Sequence, residues 1–247
     1  MKISSHVEKR EPLFELAERG DLPRHQFIDG PTVRWIESNR PRFGVTKKMQ
    51  LPTREDVERF IPSDNWFVDK KLVDSIHGLR HIIRVIALSA LVASKYSYSG
   101  RIENLLAAAA LHDIRRENDK GDSKHGLHSA QWFRKNIAVV ESRFNIKLAR
   151  KDIQSIYWTI ALHELPVNAL IKSKNYARFK KGVDIIRIAD ALDRYRLPKI
   201  KWWLNEKIIG CRVASGLKQV AFDLVVKSER RYLKGRSGAQ SVLENFI

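Results

Sequence analysis

Apolar residues recur at helical spacing through most of the 247-residue chain, and alternating runs of β-branched residues are scarce. From residue 71 onward this spacing predicts helices over 71–96, 102–114, 124–140, 149–164, 181–195 and 212–232. Residues 1–70 read differently. They carry "GPTVRWIESNRPRFG" and "LPTREDVERFIPSDNWF", where Pro, Gly and aromatic residues interrupt the pattern. Short helices and loops are expected there, with room for a small β-element. Within them "PTREDVERF" has the form of a helix start, with Thr53 as N-cap and acidic residues in the first turn. The expectation is an all-α protein in three parts. These are an N-terminal extension or cap over 1–70, a helical core over 71–198, and a helical segment over 199–247 packed on that core.

Polar residues intrude on the apolar faces in a regular way. His81 shares a face with Val85, Leu88 and Val92, and His77 lies four residues before it. Leu105, Ala108 and His112 share the next face, and Asp113 follows at once. His125, Ser129 and Trp132 share a third, with His128 three residues after His125. Ile153, Ile156, Ile160 and His163 form a fourth, and Val183, Ile186, Asp190 and Asp193 a fifth. A lone inward histidine is most often a hydrogen-bonded core residue. Five helices in series are another matter, because an ionised Asp in a dry core is costly unless paired or bound to a cation. Helical bundles build metal sites where such residues meet. Imidazole and carboxylate without thiolate suit Fe, Mn, Co, Ni or Zn better than copper(I) or iron–sulfur clusters.

Charge adds a ligand class. Lys and Arg number 46 against 28 Asp and Glu, a net of +18. The excess is uneven: residues 172–236 hold 18 Lys and Arg against 6 Asp and Glu. This basic C-terminal half points to an anionic, phosphate-bearing substrate, with nucleic acid as an alternative partner. In "KSKNYARFKK" and "RYRLPKIKWWLNEK", Tyr176, Phe179, Tyr195, Trp202 and Trp203 stand among the cations. Such aromatics stack bases or cover a core, and for the two tryptophans the core is the expected place. No stretch of 18 apolar residues suggests a membrane span, and the charged start "MKISSHVEKREPLFELAERGD" lacks a signal peptide's apolar centre. Cys211 is the single cysteine, so no intrachain disulfide forms, which fits a reducing, cytoplasmic setting.

The order His81, His112–Asp113, Asp190 resembles the H…HD…D signature of the HD-domain metal-dependent phosphohydrolase superfamily. "HGLRHIIRV" (77–85), "AAAALHDIRR" (107–116), "KHGLHSAQWF" (124–133) and "IADALDRYRL" (188–197) are each similar to the matching family segment. The resemblance covers roughly 70–198 and implies an HD-domain helical bundle. It implies a single-metal set of His81, His112, Asp113 and Asp190, with His77 as an alternative first ligand. His125 and His163 fall where two-metal members carry two more histidines; the alternative is that they bind substrate phosphate beside one metal. One or two divalent transition-metal ions are expected, with Mg an option at a second site.

The implied activity is hydrolysis of a nucleotide or related phosphate ester, monoester or diester, by a metal-activated water. Asp113 would bind or bridge metal. Arg115 and Arg116 would face the phosphoryl oxygens, with Arg84, Lys120, Lys124, His77 and Arg194 as further substrate contacts. Glu117, or Asp119, would be the general acid or base, against the alternative of a polar loop. Asp193 with Arg194 would orient ligands or form an ordinary surface pair. Two other functions stay open: a nucleic-acid-directed HD nuclease, and a mixed-valent di-iron oxygenase resembling myo-inositol oxygenase. Specificity is expected from 1–70 and 199–247, which match no family pattern.

Overall fold

The computed structural model describes residues 11–44 and 49–246, so the first half of the charged N-terminal stretch lies outside the described residues. Among these, the chain forms thirteen α-helices joined by loops and 3-10 turns, with no strand. In order they are α1 (Leu13–Arg19), α2 (Gly30–Ser38), α3 (Arg54–Glu58), α4 (Leu79–Lys95), α5 (Ile102–Leu111), α6 (His125–Lys135) and α7 (Ile137–Phe144). There follow α8 (Arg150–Leu162), α9 (Val167–Leu170), α10 (Lys174–Asp193), α11 (Glu206–Ile209), α12 (Ser215–Leu233) and α13 (Gly238–Leu243).

The fold is built around α4. Nearly every residue from Leu79 to Ala93 is buried, Arg80, His81 and Arg84 included, because the helix sits in the middle of the bundle and its charged groups meet partners there. Helices α5, α10, α12 and α13 pack around it, and α8 closes the far side of α5 and α10. Helix α5 can sit among α4, α8 and α10 because Ala107, Ala108, Ala109 and Ala110 are all fully buried; small side chains let helix axes approach closely. Both ends of the chain join the same core. Helix α2 packs on α12, α13 packs on α4, and one hydrophobic cluster runs from Leu13 to Phe246.

Several elements differ from the sequence expectation for local reasons. The helix expected over 71–96 begins only at Leu79. Residues 70–72 form a 3-10 turn capped by Asp69, and the loop closes with the Leu79 amide donating to the Val73 carbonyl at 2.7 Å. A Cβ on Gly78 would lie 2.1 Å from that carbonyl oxygen, so the approach requires glycine. His77 is therefore in a loop, and the one-face argument linking it to His81 does not hold. The helix expected over 124–140 is two helices, broken at Asn136, whose side-chain amide donates to the Trp132 carbonyl. The last core helix starts earlier than expected, at Lys174, capped by Ser173 and kinked at Phe179. The small β-element is absent among the described residues, because "GPTVRWIES" is α2. Asp29 accepts from the Thr32 amide, and Pro31 stands in the first turn, where its missing N–H costs nothing. Thr53 caps α3 as expected, accepting from the Asp56 amide at 3.2 Å.

The alanine row gives a stability prediction. Ala108→Leu adds three carbons where no space exists, so urea unfolding should show a loss of about 1–3 kcal/mol. A conservative change at exposed Ile102 should show far less.

Candidate metal centre

Five elements bring imidazoles and carboxylates to one point. His81 comes from the first turn of α4. His112 and Asp113 leave the C-terminus of α5, His125 opens α6, His163 ends α8, and Asp190 lies in the last turn of α10. His81, His112, Asp113, His125 and His163 are all at most 5% exposed. The His81 and His112 Nε2 atoms are 3.1 Å apart, and Asp190 Oδ1 is 3.5 Å from His81 Nε2. The His125 and His163 Nε2 atoms are 3.2 Å apart. Asp113 lies between these groups. Its Oδ2 is 3.6 Å from His81 Nε2, while its Oδ1 is 2.9 Å from His125 and 3.7 Å from His163.

The other ring nitrogen of each histidine is already committed. His81 Nδ1 donates to Asp193 Oδ2 at 2.8 Å, His112 Nδ1 to the Ala109 carbonyl at 2.7 Å, and His163 Nδ1 to the Ile160 carbonyl at 2.7 Å. His125 Nδ1 donates to the Asp122 carbonyl and lies 2.9 Å from Glu164 Oε2. These bonds fix the tautomer, so in the neutral rings every Nε2 lone pair points inward. Two such lone pairs 3.1 Å apart repel unless a proton or a cation stands between them. Asp113 Oδ1 is a buried oxygen with no well-directed hydrogen bond. Three sets of these groups could hold a divalent cation, their ligand atoms lying within 4.8 Å of one another: His81 with His112 and Asp190, His112 with Asp113 and His163, and His77 with His81 and Asp113.

Electrostatics agree. Burial pushes the His112 imidazole down to about 3, so it is a neutral donor at physiological pH. Burial also opposes charge on His125, but the Asp113 carboxylate outweighs it and lifts the group to about 10. Without metal, a proton on His125 therefore occupies the space between the two. Burial alone would raise Asp113 and Asp190. The groups facing them, the Arg116 guanidinium for Asp113 and the His81 ring with the Arg196 guanidinium for Asp190, hold both well below the usual carboxylate range.

Behind the centre runs a buried ionic chain. Arg84 donates to Asp193 at 2.6 Å and to Glu229 of α12 at 2.7 Å, and Glu229 also accepts from Arg80 at 2.9 Å. Asp193 thus orients His81, and its cationic partners are Arg84 and Arg196, 3.3 Å away. The expected pairing with Arg194 is replaced because Asp193 points into the bundle.

In front of the centre is a cavity of about 770 Å³. Arg116, Lys120, Arg187, Arg194 and Arg196 line it, and its walls include Leu22 and Gln26 from the N-terminal part and Trp202, Ile208 and Ile209 from the C-terminal part. Four expected contacts are elsewhere. Arg84 is fully buried and saturated by carboxylates, so it cannot touch substrate. Arg115 turns away and donates to the Trp66 carbonyl at 2.9 Å. Lys124 and Glu117 are exposed and do not line the cavity; Glu117 uses its amide to close a turn on Asp122. Asp119 does reach the wall, but it is a strut: it accepts from the Gln26 amide and the Ser75 hydroxyl, and burial raises its pKa. His128 is half-buried and outside the cluster. Trp203 is in the core as expected, whereas Trp202 lines the cavity.

His77 re-enters the site from its loop. Its Nδ1 is 3.5 Å from Asp113 Oδ2 and accepts from Arg196 Nη2 at 2.8 Å. Burial, aided by Arg116 and Arg196, holds it neutral. Arg187, Arg196 and Glu164 are site residues that periodicity did not single out. Arg187 sits one turn before Asp190 on α10, and Glu164 directly follows His163; both adjacencies are visible in sequence, but neither signals direction.

Residues 78–195 match the family model described as HD domain. No curated protein and no solved structure matches the chain. Among the described residues, no helix is long and apolar enough to cross a membrane.

Two predictions follow from this geometry. In metal-free protein, the raised His125 contributes stability that is complete below its ordinary pKa of about 6.5 and is lost as pH rises through about 10. Urea unfolding with chelator between those limits should show a decline that His125→Asn removes. Arg84→Met leaves Asp193 with Arg196 and Glu229 with Arg80 as their remaining cations, and should cost about 3–5 kcal/mol by the same measurement.

Proposed function

Because residues 78–195 belong to the HD-domain family, we propose that the protein is a metal-dependent phosphohydrolase acting on a nucleotide or related phosphate ester. The observation that carries this reading is the inward convergence of histidine Nε2 atoms on both sides of Asp113, at the base of a cationic cavity. His81, His112, Asp113 and Asp190 would hold one divalent cation, and Asp113, His125 and His163 a second. Bound there, the cations supply a water acidic enough to ionise near neutral pH and a positive charge for a phosphoryl oxygen.

The chain's own residues do the rest. Asp193, Glu164 and the Ala109 and Ile160 carbonyls keep the imidazoles aimed. Arg116 is the cation nearest the centre, 3.1 Å from Asp113 Oδ2, and is assigned the phosphoryl oxygens. Lys120 and Arg194 extend the positive wall outward, and Arg196, only 2% exposed, backs it from within beside Asp193. His77 accepts on Nδ1, so its proton is on Nε2, available to a substrate oxygen.

Protein purified without chelator should contain divalent metal. Loaded with Mn, Fe, Co, Ni or Mg, it should release phosphate or cleave a diester within a panel of nucleotides, dinucleotides and cyclic nucleotides. Asp113→Ala should lose both metal and hydrolysis. A metal-replete protein inactive on every phosphate ester would refute the function, and a folded Asp113→Ala that retains its metal would refute the ligand assignment.

A further inference from the structure

A second cavity, of about 330 Å³, lies beside the first. It is formed where the residues after α4, the stretch of α10 from Tyr176 to Ile188, and α11 with its following loop come together. Tyr96, Tyr98 and Tyr176 supply aromatic walls, and Ile185, Ile188 and Ile209 supply aliphatic ones. Lys180, Lys181 and Arg212 border it against a single carboxylate, Asp184. That carboxylate is organised: the Tyr176 hydroxyl donates to its Oδ1 at 2.7 Å, and Lys180 pairs with its Oδ2. The Tyr96 hydroxyl donates to the Arg212 carbonyl at 3.2 Å, tying the loop after α11 to the end of α4.

The two cavities share a wall. Arg187 and Ile209 line both. Arg187 Nη1 donates to the main-chain carbonyls of His163, at 2.9 Å, and Leu165. This uses both hydrogens of that nitrogen and fixes the guanidinium at the boundary, beside a proposed metal ligand.

We propose that the tyrosine-lined cavity is the subsite for the base of a nucleoside phosphate, with Arg187 meeting the phosphate side of the same molecule at the cavity boundary. The proposal rests on the phosphohydrolase reading for the phosphate half only. Its own warrant is the cavity's composition. Aromatic faces bind the π-face of any base, and isoleucines complete an apolar slot for a planar ring. The Asp184 carboxylate offers an acceptor to a base edge, and the surrounding cations favour an anionic ligand. A sugar phosphate or inorganic polyphosphate has nothing to place against three tyrosines and three isoleucines. An acyl chain would bury Asp184 and the lysines against hydrocarbon, at a desolvation cost.

The test uses the full chain in two states. In chelator, calorimetric titration compares adenosine and cytidine monophosphates with ribose 5-phosphate. Wild type should prefer a nucleotide by ~10-fold, the ratio expected from base stacking on an aromatic side chain. Tyr98→Ala should collapse that preference. So should Tyr96→Ala, whose side chain is 44% exposed and whose truncation leaves the core intact. In metal-loaded protein, the same variants should lower the ratio of kcat/KM for nucleotide over ribose 5-phosphate, mainly through KM. Equal affinity of wild type for nucleotide and sugar phosphate, or a preference unchanged in both variants, would overturn the subsite. Variant-sensitive nucleotide binding without any hydrolysis would leave the subsite standing and overturn the phosphohydrolase reading instead.

Discussion

One carboxylate sets the terms for the whole molecule. Asp113 is 3% exposed, and its two oxygens face different sets of imidazoles. A charge buried to that degree is tolerable only if cations meet it. Arg116 and a protonated His125 do so in the metal-free protein, and a divalent ion fits the same space. The surrounding fold is arranged so that these partners can reach it. The alanine row of α5 lets α4 and α8 close in on either side. Gly126 does the same for α6, since a Cβ there would come within 2.9 Å of the His163 ring.

The centre is also tied to parts of the chain remote in sequence. His81 is oriented by Asp193, Asp193 by Arg84, and Arg84 by Glu229 of the penultimate helix. Each buried ion depends on the next, because losing one partner leaves an uncompensated charge. The N-terminal part is held by Asp119, which anchors the Gln26 amide to the loop after the histidine–aspartate pair. Both ends of the chain thus contribute walls to the cavity as well as to the core.

Cationic residues divide into two populations that composition cannot separate. Arg80 and Arg84 are interior and neutralised, with no access to a ligand. Arg116, Arg187, Arg194 and Arg196 line the cavity. Arg84 and Arg116 each lie three residues after a proposed ligand, yet the first points into a carboxylate network and the second lines the cavity. The tryptophan pair divides in the same way, Trp203 into the core and Trp202 onto the cavity wall.

From the sequence alone came the all-α class, most of the core helices though with other bounds, and the inward histidines and aspartates, because helical periodicity reports which face is buried. The HD-domain match to residues 78–195 agrees with that reading. Periodicity says nothing about loops or the far ends of long side chains. It therefore put His77 on a helix that begins two residues later and passed over Arg187 and Arg196, while adjacency in sequence to the implied ligands pointed Arg84, Arg115, Lys124 and Glu117 at the substrate. Those placements depend on contacts between residues up to about 150 positions apart, such as Arg84 with Glu229, and only the packed chain decides them.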